Sequence, residues 1–200
     1  MIDQIVIATN NLHKVGEIMD IFEEAKLKSI FLTPKQLKKP PTVVEDGATF
    51  TANALKKARE LCAHSGLTTV ADDSGLVVDA LDGQPGILSA RWAGQHGDDE
   101  ANLQLVLKQM EEVPDELRQA RFVCAAAVAL SDGREFAVTG ELLGTITRSP
   151  RGENGFGYDP IFMAEGYQIT TGEMDSVEKN SISHRGIAFR KLASLLKHSF

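Results

Sequence analysis

The segment Gln4–Thr33, QIVIATNNLHKVGEIMDIFEEAKLKSIFLT, reads as three elements. Ile5, Val6 and Ile7 make a short strand over Gln4–Ala8, and the polar run Thr9-Asn10-Asn11 ends it. Val15, Ile18, Met19 and Phe22 then recur at helical spacing, and Ser29–Thr33 reads as a second strand. Strand, helix and strand close a β-α-β unit, which sets the expectation of an α/β fold built on a mixed sheet.

Outward from this unit the alternation continues. Pro34, Pro40 and Pro41 block a helix and mark a loop that ends in Val43-Val44-Glu45-Asp46-Gly47. A helix with inward Phe50, Ala54, Ala58 and Leu61 follows. Leu67–Ala71 and Leu76–Leu81 read as two short strands, separated by Asp72-Asp73-Ser74-Gly75. Adjacent carboxylates at a strand break are not expected in a core. Asp98 or Asp99 caps a helix carrying Leu103, Val106, Leu107 and Met110, which stops before Pro114. Arg121–Leu130 and Glu135–Thr147 are long β segments joined by the hairpin signal Ser131-Asp132-Gly133. Ser176 opens a short helix, and Ser183 a final one with Ala188, Leu192, Leu195 and Leu196 inward. With no repeat, low-complexity tract or linker, residues 1–200 read as one two-lobed domain.

Composition narrows the function classes. Apolar residues make up 42% and charged residues 24% of the chain, ordinary for a globular protein. The apolar run Phe122–Leu130 falls well short of the ~20 residues needed to span a bilayer. No membrane partner and a cytoplasmic location are therefore expected. A formal charge of -7 excludes the broad basic face that nucleic acid requires. Cys62 and Cys124 sit among apolar residues without metal-ligand spacing, so both are expected as buried, reduced thiols.

Five clusters carry potential chemistry. The turn Thr9-Asn10-Asn11-Leu12-His13-Lys14 places amides of a helix start beside a lysine, a phosphate-binding arrangement, although no GxxxxGK[ST] loop is present. Glu45, Asp72 and Asp73 are hard oxygen donors suited to Mg²⁺, which takes one or two carboxylates beside substrate phosphates. No glutamate-dense Nudix helix occurs. In Ser149–Phe162, SPRGENGFGYDPIF, Gly152, Gly155 and Gly157 allow positive φ and close approach, while Phe156 and Tyr158 offer flat faces and Asp159 an acceptor. The run Glu178–Arg185 adds Lys179, His184 and Arg185 at a helix entry, and Lys57 and Arg91 are further cations. Together these are the parts of a metal-dependent enzyme acting on a nucleotide.

The blocks ATNNLHK, EDGATFTANALKKA, ADDSGLVVDAL, GILSARWAG, GENGFGYDPIF and SHRG, in this order, span nearly the whole chain. In them the sequence resembles the inosine triphosphate pyrophosphatases, also called non-canonical purine nucleoside triphosphate diphosphatases. The resemblance implies a long bent central sheet, helices in two lobes around a nucleotide-binding cleft, a homodimer and a Mg²⁺ requirement. It implies Asp73 as general base, with Lys57 on phosphate, and Glu45 with Asp73 on the metal. Thr9, Asn10, Asn11, Leu12, His13 and Lys14 would bind triphosphate. Ser74, Phe156, Gly157, Tyr158, Asp159, Lys179, His184 and Arg185 would contact substrate. The chain departs from the family where Asn10 stands for a frequent Gly, and where Ala52 stands for a frequent Glu. The implied activity is hydrolysis of ITP, dITP and XTP to monophosphate and pyrophosphate, with base choice made by donors aimed at the six-position carbonyl. A silent nucleotide sensor and a pyrimidine-directed pyrophosphatase of the septum-inhibitor type are the competing classes.

Overall fold

The computed structural model describes residues 2–198. Six strands form one mixed sheet in the order β2-β1-β3-β4-β5-β6. They are β1 Gln4–Ile7, β2 Ile30–Leu32, β3 Thr68–Val78, β4 Gln119–Ala129, β5 Glu135–Ile146 and β6 Phe162–Ala164. The helices are α1 Leu12–Glu24, α2 Phe50–Ser65, α3 Asp99–Gln109, α4 Ser176–Ile182 and α5 His184–His198. The opening β-α-β unit forms as expected: β1 pairs in parallel with β2, Val6 opposite Leu32, and with β3, Val6 opposite Thr69. At the far edge β5 and β6 are antiparallel. No described helix is long and apolar enough to cross a membrane.

The chain divides into two compact units. One takes the chain to Asp73, then Cys124–Gly140, then the chain from Arg185 onward. Alternation along its strands sends side chains to both faces of the sheet. Ile5, Ile7, Val70, Cys124, Ala126 and Val128 pack with Ile18 and Phe22 of α1 and Phe189 and Leu192 of α5. Val6, Ala8, Ala71, Ala125, Ala127 and Ala129 pack with Ala54, Ala58 and Leu61 of α2. Small residues on both sides of that second layer let α2 lie close to the sheet. Cys62 and Cys124 are buried and unbridged, and burial, aided by the charge of Asp72, pushes the Cys124 thiol up to about 12.

The other unit, Ser74–Val123 with Glu141–His184, has its own core. There Leu76 and Val78 of β3 pack with Leu103, Val106 and Met110 of α3, Phe122 of β4, and Tyr158, Ile161 and Phe162 of the glycine-rich segment. Arg118 is buried, and its guanidinium donates to the carbonyls of Met110, Ile146 and Thr147 at 2.5, 2.8 and 2.9 Å. It thereby fastens the end of α3 to β4 and β5.

Five expectations need correction. Residues 67–81 form a single strand over Thr68–Val78 followed by a 3₁₀ turn, with no break at Asp72–Gly75. Asp72 and Asp73, expected outside the core, are 2% and 6% exposed. Turn-forming residue types misled there because distant side chains, Lys14 and Arg185 at Asp72 and Asn53 at Asp73, hold the carboxylates inside the fold. On α1, Ile21 is buried and Met19 faces out, and on α5 Leu195 is largely exposed. Ser183 closes α4, so the final helix starts one residue later, at His184.

Candidate active site

In the first unit, α2 is started by Thr49, whose hydroxyl accepts the Ala52 N–H at 3.1 Å. Asn53 and Lys57 follow one turn apart and therefore share a face. Asn53 is fully buried. Its Oδ1 accepts the Gly47 N–H at 2.7 Å and its Nδ2 donates to Asp73 Oδ2 at 2.9 Å. A Cβ on Gly47 would lie 2.7 Å from that Asn53 oxygen, so the loop carrying Glu45 can approach α2 only as glycine. Lys57 Nζ lies 3.0 Å from Glu45 Oε1 and 3.8 Å from Asp73 Oδ1.

Successive strand residues point to opposite faces, and this separates the two aspartates. Asp73 faces α2. Asp72 faces α1 and α5, where its Oδ2 accepts from Lys14 Nζ at 3.0 Å and from Arg185 Nη2 at 3.3 Å. Arg185 in turn donates to Glu17 at 2.5 Å. A chain Lys14, Asp72, Arg185, Glu17 of alternating charge results, buried at Asp72 and Arg185 and half-buried at its two ends.

The electrostatics differ accordingly. Burial opposes ionisation of Asp72, but Lys14, Arg185 and Lys57 overcome it and hold its carboxyl far below the usual range. Burial dominates at Asp73 and raises its pKa, against the opposing pull of Lys57 and the Asn53 hydrogen bond. Burial also opposes the charge of Lys57, yet Asp72, Asp73 and Glu45 more than compensate and raise its pKa. The strand thus presents one permanently ionised structural carboxylate and one more basic carboxylate beside a permanent cation.

The turn Thr9–Lys14 is more closed than its sequence implies. Asn11 is the N-cap of α1, and its Oδ1 accepts the N–H groups of His13 and Lys14 at 3.0 and 3.3 Å. Thr9 Oγ1 accepts the Asn11 N–H at 3.2 Å, and Leu12 stands exposed. Asn10 does not take the left-handed conformation that its Gly-like position invites.

In the second unit the glycine-rich segment folds around Asp159. Its buried carboxylate accepts from the Phe156 N–H at 2.8 Å, from Lys179 Nζ at 2.7 Å and from Thr171 Oγ1 at 2.8 Å. Gly155 has φ +76°, and a Cβ there would stand 2.1 Å from Asp159 Oδ2. Lys179 Nζ lies 4.8 Å from the centroid of the half-buried Phe156 ring. Tyr158 is buried in the core, with its hydroxyl donating to the Ser89 carbonyl at 2.8 Å. His184 is buried and stacked on Phe122 at 4.8 Å. Ser74 is half-buried, immediately after Asp73 on β3.

A profile of the Ham1 family matches residues 5–195. The chain belongs to the Ham1 family. A relative named dITP/XTP pyrophosphatase from Streptomyces coelicolor is 50% identical over 194 residues, 97% of each chain. Among solved structures, a nucleoside-triphosphatase / dITP/XTP pyrophosphatase from Mycobacterium abscessus is 46% identical with a TM-score of 0.78, covering 96% of this chain and 97% of that one. A HAM1 protein from Coxiella burnetii is 38% identical with a TM-score of 0.89, covering 99% and 100%.

Within this Ham1 fold the first unit gathers Glu45, Lys57 and Asp73 on the α2 side of β3 and Lys14, Asp72 and Arg185 on the other side, and the second unit brings together Phe156, Asp159 and Lys179. Sequence reading overlooked Asn53, Glu17, Thr171 and Ser89. Asn53 left one trace: a poor helix former on the inward stripe of α2, adjacent to Ala54. Glu17 lies three residues after Lys14, on the same side of α1, but nothing local named Arg185 as its partner.

Proposed function

We propose that this chain hydrolyses deaminated purine nucleoside triphosphates, ITP, dITP and XTP, at the α-phosphorus, releasing the monophosphate and pyrophosphate. The observation that carries the chemistry is the placement of the buried Asp73 carboxylate, held by Asn53 Nδ2 at 2.9 Å and 3.8 Å from Lys57 Nζ, where burial raises its pKa. A more basic carboxylate takes the proton of an attacking water. The water oxygen bonds to the α-phosphorus, the bond from that phosphorus to the bridging oxygen breaks, and pyrophosphate leaves with the electron pair. Lys14 and Lys57 neutralise the phosphate oxygens as charge shifts to the leaving group.

Glu45 and Asp73 fit a Mg²⁺ ion, because both carboxylates already converge on one cation, the Lys57 ammonium. Among the described residues no cluster of three acidic, histidine or cysteine ligands occurs, and Mg²⁺ bound through substrate phosphates needs only one or two. Bound there, the ion would supply Lewis acidity toward the phosphate oxygens. Asp72 is left out of this set, since Lys14 and Arg185 hold it on the other face of β3.

Phe156 supplies a stacking face for the base, and the N–H groups of the neighbouring Lys179 ammonium are donors suited to a six-position carbonyl. Adenine would set its amino group against them and leave donors unpaired, a loss that reaches ~10⁴ at a well-built site. A homodimer, a cytoplasmic location and a single two-lobed domain complete the reading, without nucleic-acid or membrane partners. The test is pyrophosphate release from ITP, XTP, ATP, GTP and dTTP, with Mg²⁺ and again with chelator. Fast, metal-dependent release from ITP and XTP alone is expected. Binding without release would identify a silent sensor, and preference for dTTP a pyrimidine-directed enzyme.

A further inference from the structure

The segment Gly86–Asp99 carries the block GILSARWAG, which the catalytic reading leaves without a task. It opens as a 3₁₀ helix over Gly86–Arg91 lying on the last part of β3. Ser89 Oγ accepts the Leu76 N–H at 2.9 Å and donates to the Gly86 carbonyl at 2.6 Å. Contact is close enough that a Cβ on Gly75 would stand 2.4 Å from Ser89 Oγ and 2.5 Å from the Gly86 oxygen. Val78 N–H to Gln84 oxygen, at 3.1 Å, extends the attachment. The segment is therefore fixed to a sheet strand.

From this fixed base two hydrogen bonds reach the aromatic loop. The Ser89 carbonyl accepts the Tyr158 hydroxyl at 2.8 Å, and Asp99 Oδ2 accepts the Gly157 N–H at 2.9 Å. The two acceptors hold adjacent residues of the loop, directly after Phe156. Burial, and secondarily the Asp99 charge, raise the Tyr158 pKa, so the hydroxyl stays a donor. Gly157 has φ +63°, a left-handed turn that directs the chain out of Phe156. Asp99 is not needed to cap α3, because Asp98 accepts the Ala101 N–H at 3.1 Å.

We infer that Asp99 and Ser89 are positioning residues for base recognition, which fix Gly157 and Tyr158 and thereby set the Phe156 ring against the purine. The inference rests on the proposed function. An acid in the first turn of a helix would otherwise serve only the helix, and its loss would change stability without regard to substrate.

The test compares wild type, Asp99→Ala and Asp99→Asn, all at an exposed position. Steady-state kinetics are measured on ITP and on ribose 5'-triphosphate, which carries the same phosphates without a base. Asp99→Ala is expected to raise the KM for ITP about threefold to tenfold, the range for one lost hydrogen bond, with kcat within about twofold. Ribose 5'-triphosphate kinetics stay unchanged, and Asp99→Asn, which keeps an acceptor oxygen, restores the ITP value. In parallel the Gly157 amide exchanges hydrogen faster in Asp99→Ala than in wild type or Asp99→Asn. Equal loss on both substrates, equal loss in Ala and Asn variants, or unchanged Gly157 exchange overturns the inference. A wild type inert toward ITP overturns the functional reading and the task given to Phe156, while the exchange data still record whether the anchor exists.

Discussion

At Asp73 burial and hydrogen bonding act in opposite directions, and the balance is open to experiment. Because its pKa lies above the ordinary 3.8, the acid limb of the kcat profile is expected above that pH. The Asn53 amide lowers this pKa, so Asn53→Ala should move the limb to higher pH, read from kcat against pH on ITP. An unchanged limb would remove Asp73 from the base role. Asp73→Asn keeps the shape and removes the proton acceptor. Turnover should fall by at least ~10²-fold with ITP binding retained, measured by single-turnover kinetics and titration calorimetry. The neighbouring carboxylate behaves oppositely, although the two residues are identical in sequence. Asp72 is depressed by Lys14, Arg185 and Lys57, so its contribution to stability is fully present above the unfolded value and is lost as pH falls through the folded one. Asp72→Asn breaks a buried ionic contact and should cost about 3 kcal/mol in urea denaturation at pH 7. Asp73→Asn, which removes a charge disfavoured by burial, should leave the midpoint equal or higher.

Among the elements β3 has the most to carry. Its sequence contains Asp-Asp-Ser-Gly, a turn signal by local rules, yet the strand runs unbroken, with Asp72 held by Lys14 and Arg185 and Asp73 by Asn53. Gly75 contributes by vacancy rather than by flexibility, since the segment at Gly86–Ser89 occupies the place of its side chain. Gly75→Ala should therefore destabilise the protein by about 1–3 kcal/mol, seen as a lower urea midpoint. A midpoint equal to wild type would mean that the 86–91 segment can give way. α2 shows the reverse case, in which a clear apolar stripe of Phe50, Ala54, Ala58 and Leu61 was legible, while the polar residue that matters, Asn53, stands on the same buried side.

For the whole molecule, the α/β class, the opening β-α-β unit, the β4–β5 hairpin and a helix cap at Asp98 or Asp99 were readable from local pattern. Periodicity, prolines and glycines are properties of neighbouring residues, so sequence reports them directly. The family blocks were legible for the same reason, each being a short continuous stretch. Partnership was not. Arg118, with its side chain spread over the carbonyls of residues 110, 146 and 147, gave no local sign of being a buried clamp. Nor did Arg185, expected as a contact for the base, disclose that Asp72 and Glu17 hold it from positions 113 and 168 residues away. What the sequence determined by itself was which chemical groups the chain owns and which elements carry them. Which of two adjacent aspartates is basic, and which is an ionised strut, was decided only in the folded chain. Alternation along one strand sends the two carboxylates to opposite faces, and the cations and amides waiting there come from distant segments.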